Sequence, residues 1–455
     1  MKIPAQLLED LRRVPGFNED EFTEAHSTAA DTSVRLHPGR VGGGLTLAAP
    51  VPWCGNGYYL GERPVFTLDP AYHGGAYYVQ EASSMFLEHI WKNAVTDNGA
   101  LRVLDLCAAP GGKSTHLASL LQGDSLLISN EVIRNRATIL EENMVRWGYT
   151  NNWVTCNDPR DFSKLTGYFD VIVIDAPCSG SGLFRKDTHA LDTWSEENVT
   201  LCALRQKRII DDIWPALKQD GILIYATCSF STQEDEGLLD WLAATYEVES
   251  LAPQVPAEWG ITPIYSPEKN MGGYRFFPGK ARGEGFFIAA VQKKAEADEL
   301  KPIKFKPAIS KIKDLVLPLL TNSRAFQFIA SAADAYNAIA PAHEGDYLLL
   351  QKILYFRKAG LPLGAPAHKD WLPAHALALS LDAAADIPAI ELNKEQALRF
   401  LKREDINIEE MAKGWRVIKF NNLGLGWVKC LGNRTNNYLP KHWRIRMELP
   451  DNDAG

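Results

Sequence analysis

The chain has 455 residues, of which 46% are hydrophobic and 23% charged, and its formal net charge is −8. Such a composition excludes a disordered chain or a disulfide-stapled miniprotein, and no run of about 18 apolar residues predicts a membrane helix. The acidic total speaks against a nucleic-acid partner, but the charge is uneven. Met411 to Met447 holds eight Lys or Arg and no acid, and Lys301 to Lys313 holds five lysines and no acid, so at least two basic surfaces are expected.

In chain order, the opening MKIPAQLLEDLRRVPGF carries charge throughout and lacks the apolar centre of a signal peptide. It predicts a short amphipathic helix over Pro4–Arg13 and a cytoplasmic protein. Gly- and Pro-rich segments follow, HPGRVGGG and VPWCGNGYYL, to about residue 95. From 96 to 294 apolar runs alternate with helical stretches: RVLDLC, LLISNEV, NWVTCND, FDVIVIDAP, ILIYATCSF and GFFIAAVQK. This is the βαβ pattern of an α/β domain with a mainly parallel sheet. KKAEADELKP reads as a linker, 301–390 is a separate Ala- and Leu-rich segment, and 391–455 reads as short strands with turns at NNLGLG and LGNRTNN.

The first of these strands runs into Asp105-Leu106-Cys107-Ala108-Ala109-Pro110-Gly111-Gly112-Lys113-Ser114-Thr115. Small residues between a strand and a helix let backbone N–H groups approach a ligand. A nucleotide P-loop would need glycine where Cys107 stands, so the loop fits S-adenosyl-L-methionine better. Glu131 closes the second strand, where a carboxylate reaches ribose hydroxyls, and Asp158 closes the third, within reach of an adenine amino group.

The seven cysteines are an odd number without a CxxC spacing, so neither disulfides nor a metal site is expected. Cys156, Cys202 and Cys430 read as core residues, while Cys54 in its Gly-rich loop is left open. Cys178 in IDAPCSGSG and Cys228 in ATCSF each end an apolar strand. Carbon 5 of a pyrimidine is barely nucleophilic, and a thiolate adding to carbon 6 makes an enamine that can accept a methyl group. An acid beside the ring, here Asp175, must answer the developing charge. Adjacent strands would bring Asp175, Cys178 and Cys228 to one face, but spacing does not say which thiol attacks.

DLCAAPGGKS, NEV, IDAPCSGSG and YATCSFSTQEDE, with YYVQEASSM, ENMVRWGYTN and GEGFFIAAVQK in support, resemble the consecutive motifs of the RNA 5-methylcytosine methyltransferases of the Sun/nucleolar-protein family. The resemblance covers roughly residues 72–294. It implies a Rossmann-like methyltransferase domain (96–294), an N-terminal RNA-recognition extension (1–95), an intermediate domain (301–390) and a small RNA-binding β-barrel of the PUA kind (391–455). It implies Cys228 as nucleophile, Cys178 as the thiol that helps release it, and Asp175 with Lys113 around the base. Cys107 to Lys113, Glu131, Asp158 and Asp175 would hold the cofactor. Arg185 and Lys186 past the Pro-Cys loop, and Lys429, Arg434 and Arg444 near the C-terminus, are expected to meet RNA phosphates. The implied partner is ribosomal RNA, free or in the 30S subunit, bound by a monomer without metal or membrane. Transfer RNA, and a non-catalytic role in ribosome assembly, are the alternatives.

Overall fold

The computed structural model describes residues 3–41, 43–97, 99–297, 316–330, 335–367, 370–406 and 411–449. The five lysines of 301–313, part of the linker and residues 450–455 lie outside them. The N-terminal helix is Ala5–Leu11, and Leu7 and Leu11 bury its apolar face in the same core as Leu104 and Phe230. Ser33–Leu36 (β1), Leu47–Pro50 (β2), Gly57–Leu60 (β3) and Tyr77–Val79 (β4) form an antiparallel sheet in the order β2-β3-β1-β4.

All six strands expected between 96 and 294 form. They are Arg102–Asp105 (β5), Leu126–Asn130 (β6), Asn152–Thr155 (β7), Phe169–Asp175 (β8), Leu217–Thr227 (β9) and, last in the run, Phe286–Lys293. Three more precede that last strand, Val248–Leu251 (β10), Thr262–Tyr265 (β11) and Gly272–Phe276 (β12), which makes Phe286–Lys293 β13. β5 pairs in parallel with β6 on one side and β8 on the other, β7 extends the first flank and β9 the second. Because β6 and β8 leave β5 in opposite directions, a crevice opens at the carboxyl end of β5, where such sheets hold ligands. β6 and most of β8 and β9 are buried along their length, as near-continuous Val/Ile/Leu runs require when helices cover both faces. Each such side chain contributes about 1.5–3 kcal/mol by leaving water.

Past the linker, Gln327–Ala330 (β14), Tyr336–Ile339 (β15), Leu361–Ala367 and Asp370–Pro373 build a separate antiparallel sheet. Phe356–Lys358 (β16), which lies between its strands in sequence, instead pairs antiparallel with β7 and lengthens the central sheet. The final segment forms four strands, Ala389–Glu391, Gly414–Phe420, Leu423–Cys430 and Thr435–Asn437, with the helix Lys394–Lys402. The NNLGLG turn is present as a tight hairpin, with Asn421 and Asn422 both in the left-handed region that such turns need. No helix among the described residues is long and apolar enough to cross a membrane.

Candidate active site

β5 delivers the cofactor loop. Gly111 has φ +117°, a conformation only glycine holds cheaply, and an added Cβ would press on Leu140 and Asn143. That turn launches the helix Gly112–Leu120 with no side-chain cap, which leaves its first N–H groups for a carboxylate or other anion. Ser114 Oγ donates to Asp105 Oδ2 at 2.6 Å, anchoring the helix to the strand. Asp105 is fully buried, its Oδ1 has no partner among the described residues, and burial lifts its carboxyl to about 7.

A cavity of about 500 Å³ opens beside this loop and is lined by Cys107, Ala109, Glu131, Asp158, Asp175, Cys178 and Cys228. Its size suits a nucleoside-sized ligand. Glu131 Oε1 accepts from Ile133 N at 2.9 Å and its Oε2 lies 3.2 Å from Arg136. Asp158 caps the short helix Pro159–Phe162 and pairs with Arg160 at 3.0 Å, so it is a cap and a cavity wall at once. Carboxylates at successive strand ends, free helix N–H groups and an apolar floor are a donor and acceptor set that fits S-adenosylmethionine. A larger hollow of about 690 Å³, between Arg40 and Leu423, is remote from this chemistry.

The two thiols meet because β8 and β9 are neighbours, with Asp175 opposite Ala226. Cys178 Sγ and Cys228 Sγ are 3.2 Å apart. Their loops are also joined by Gly182 N donating to the carbonyl of Cys228 at 2.9 Å. The hydrogen bond to Cys228, then burial, pushes the Cys178 thiol well above its ordinary range. Both causes favour the protonated form of Cys178, within hydrogen-bond reach of the sulfur of Cys228. Lys113 Nζ sits 2.8 Å from Asp175 Oδ2, joining cofactor loop and reacting face. Burial pushes the Cys107 thiol up as well, which leaves it a wall rather than a nucleophile.

The basic residues divide. Arg185 is a correction: its side chain is 8% exposed and pairs with Glu284 at 3.3 Å, while also donating to the carbonyls of Gly283 and Ala29. It fastens the Pro-Cys loop to the segment around Glu284. Lys186 beside it is exposed. Lys429 is bonded to Asp370 at 2.6 Å, whereas Arg434 and Arg444 are exposed. Of the C-terminal aromatics, Trp427 is core, and Trp415 packs edge-on against the half-exposed Tyr438. Sequence reasoning missed Arg205 and Arg208, which line the reacting cavity from the helix Glu196–Ile213. Their i, i+3 spacing, which puts both on one helix face, was the available signal.

Cys54, left open above, lies in a buried cluster with Glu88 and His116 whose ligand-type atoms lie within 4.8 Å of one another. The thiol (3.1 Å) and the imidazole (2.9 Å) both meet Glu88 Oε2, and Lys92 donates to Oε1 at 2.6 Å. The carboxylate's charge is thus already answered.

Comparison with known proteins finds relatives over most of the chain. The family model "16S rRNA methyltransferase RsmB/F" matches residues 94–292, "N-terminal domain of 16S rRNA methyltransferase RsmF" matches 3–82 and "Methyltransferase RsmF PUA domain" matches 387–445. Ribosomal RNA small subunit methyltransferase F of Shewanella woodyi is 30% identical over 453 residues, covering 93% of this chain and 92% of that one. A methyltransferase homolog protein from Pyrococcus horikoshii superposes with TM-score 0.51 at 25% identity, over 64% of this chain and all of that one. NSun6 from Pyrococcus horikoshii with SFG shares the fold, with TM-score 0.53 at 20% identity over 64% of this chain and 99% of that one.

Proposed function

The chain belongs to the ribosomal RNA small subunit methyltransferase F family, and from that premise we propose how its residues divide the work. The protein is an S-adenosylmethionine-dependent methyltransferase of cytosine carbon 5 in small-subunit ribosomal RNA. S-adenosylmethionine supplies the methyl group. The Cys107–Lys113 loop, Glu131 and Asp158 hold it, with Asp175 at the junction between cofactor and base.

The 3.2 Å approach of Cys178 to Cys228 carries the proposal. Cys228 Sγ adds to carbon 6 of the flipped cytosine, and the ring electrons move to carbon 5, which takes the methyl group. Asp175, entering as the acid, donates its proton to the ring nitrogen as negative charge develops there, and Lys113 faces the carboxylate that remains until the proton returns on elimination. Solvent then takes the carbon-5 proton, its bonding electrons re-form the double bond between carbons 5 and 6 and expel Cys228 as a thiolate, and Cys178 steadies the departing sulfur by sharing its proton with it. None of these steps draws on a metal.

The same reading gives residues 1–95 and 391–455 to RNA handling around the 96–294 domain, with 301–390 as an intermediate domain between them. It places a monomer on the RNA of the 30S subunit, in the cytoplasm. Lys186, Arg434 and Arg444 serve as phosphate contacts. Cys228→Ala should lose transfer of labelled methyl from S-adenosylmethionine to 16S ribosomal RNA while binding the cofactor with unchanged affinity. Methylation by that variant would end the assignment of the nucleophile.

A further inference from the structure

Both cysteine loops end on one buried carboxylate that the mechanism above does not use. Glu234, in the STQEDE segment after β9, is fully buried. Its Oε1 accepts from Ser179 N at 2.9 Å and from Gln206 Nε2 at 3.0 Å, and its Oε2 accepts from the hydroxyls of Ser179 (2.5 Å) and Ser229 (2.6 Å). Ser179 directly follows Cys178, and Ser229 directly follows Cys228. Gln206 also donates to the carbonyl of Pro177, the residue before Cys178.

Two N–H groups and two hydroxyls surround this group, so all four can donate to its two carboxylate oxygens. Among the described residues no cation pairs with it, since the nearby Arg275 is engaged by Asp235 and Glu236. An apolar residue could fill the same space without burying a charge, and burying one is costly. What a carboxylate adds is two acceptor oxygens at fixed separation, one on each loop's serine.

We propose that Glu234 is the positioning residue shared by the two thiols, holding the Pro-Cys and Thr-Cys loops in mutual register through Ser179 and Ser229. It touches neither base nor cofactor and acts only through the loops. The inference rests on the roles given above to Cys228 and Cys178. Attack needs Cys228 aimed at the ring, and release needs Cys178 within reach of the same sulfur, so both steps depend on one separation. A displacement of about 1 Å at a reacting group costs on the order of 100-fold in rate.

The test uses the full-length enzyme with 16S ribosomal RNA and S-adenosylmethionine, reading single-turnover methylation and denaturant-resistant protein–RNA adduct per folded molecule. Glu234→Ala should slow methylation by about 10- to 100-fold and leave adduct that the parent clears. Glu234→Gln should restore clearance, because its amide oxygen still accepts from Ser179 N and Gln206 while its NH₂ can donate to the two rotatable hydroxyls. Ser229→Ala, which keeps the carboxylate, guards against a Glu234→Ala protein that does not fold, and it should also retain adduct. A merely structural role would lower the melting temperature and leave the folded fraction clearing adduct at the parental rate, which would overturn the proposal. Glu234→Gln retaining as much adduct as Glu234→Ala would overturn it too. Cys178→Ala (adduct) and Cys228→Ala (none) run alongside. If those two fail, the thiol roles are wrong; if they hold and the Glu234 and Ser229 variants match the parent, only this inference falls.

Discussion

At the scale of single residues, what a side chain can do here depends on what already holds it. Cys178 and Cys228 were both legible in sequence because each ends an apolar strand, but their 3.2 Å approach needed the parallel pairing of β8 and β9. Arg185 reads as a free cation and is tied to Glu284, a residue about a hundred positions away that no local pattern connects to it. All three acids of STQEDE are buried, and what sets Glu234 apart is that it meets both cysteine loops, a contact no local pattern shows. Asp105 is a similar case with a consequence in pH. Its carboxyl is lifted by burial from 3.8 to about 7 in the fold, so the folded state prefers the protonated form. That contribution to stability is complete below pH 3.8 and is lost as the pH rises to about 7. Asp105→Asn, which cannot ionise, should therefore gain on the parent in unfolding midpoint from pH 4 to 7 and hold a constant difference above it. A difference that stays flat across that range would show that Asp105 does not change its protonation there.

Among elements, strands were readable and their meetings were not. Each parallel strand is a continuous apolar run, a local signal that survives in sequence. β16 gave no such signal, because its place at the edge of the central sheet is set by a pairing to β7 some two hundred residues away. The loops after β8 and β9 touch through backbone at Gly182, where an added Cβ would lie 2.4 Å from the carbonyl oxygen of Gly285 and 2.8 Å from that of Cys228. Neither oxygen can swing away as a flexible side chain would. Gly182→Ala should thus separate the two loops, costing about 1–3 kcal/mol of stability and a larger share of activity. Calorimetry beside a methylation assay reads both, and parental activity in a folded Gly182→Ala protein would contradict the close approach.

For the whole molecule, a net charge of −8 concealed where RNA can bind. The C-terminal cations were visible as a run without acids, yet their division into exposed and paired groups appeared only in the structure. Nor could the sequence reveal the seam between its parts. Arg40 donates to the carbonyls of Gly74 (2.7 Å), Arg146 (2.6 Å) and Leu379, and Arg146 in turn lies over the ring of Trp443. These contacts seat the C-terminal sheet against the N-terminal one and the catalytic domain. If that exposed face carries RNA, replacing Arg434 and Arg444 together by Ala in the full chain should weaken binding and flatten its salt dependence by about one unit of slope per lost phosphate contact. An unchanged slope would assign the face to structure alone.

Above all, Cys228 bonds to the RNA and Cys178 frees it. The most direct measurement is a denaturing gel of Cys178→Ala after reaction with 16S ribosomal RNA and S-adenosylmethionine, followed by mass mapping of the linked peptide. A stable adduct on Cys228 bearing a methylated cytosine is expected, absent when Cys228 is also replaced by Ala. No adduct, or one that survives the double replacement, would contradict it.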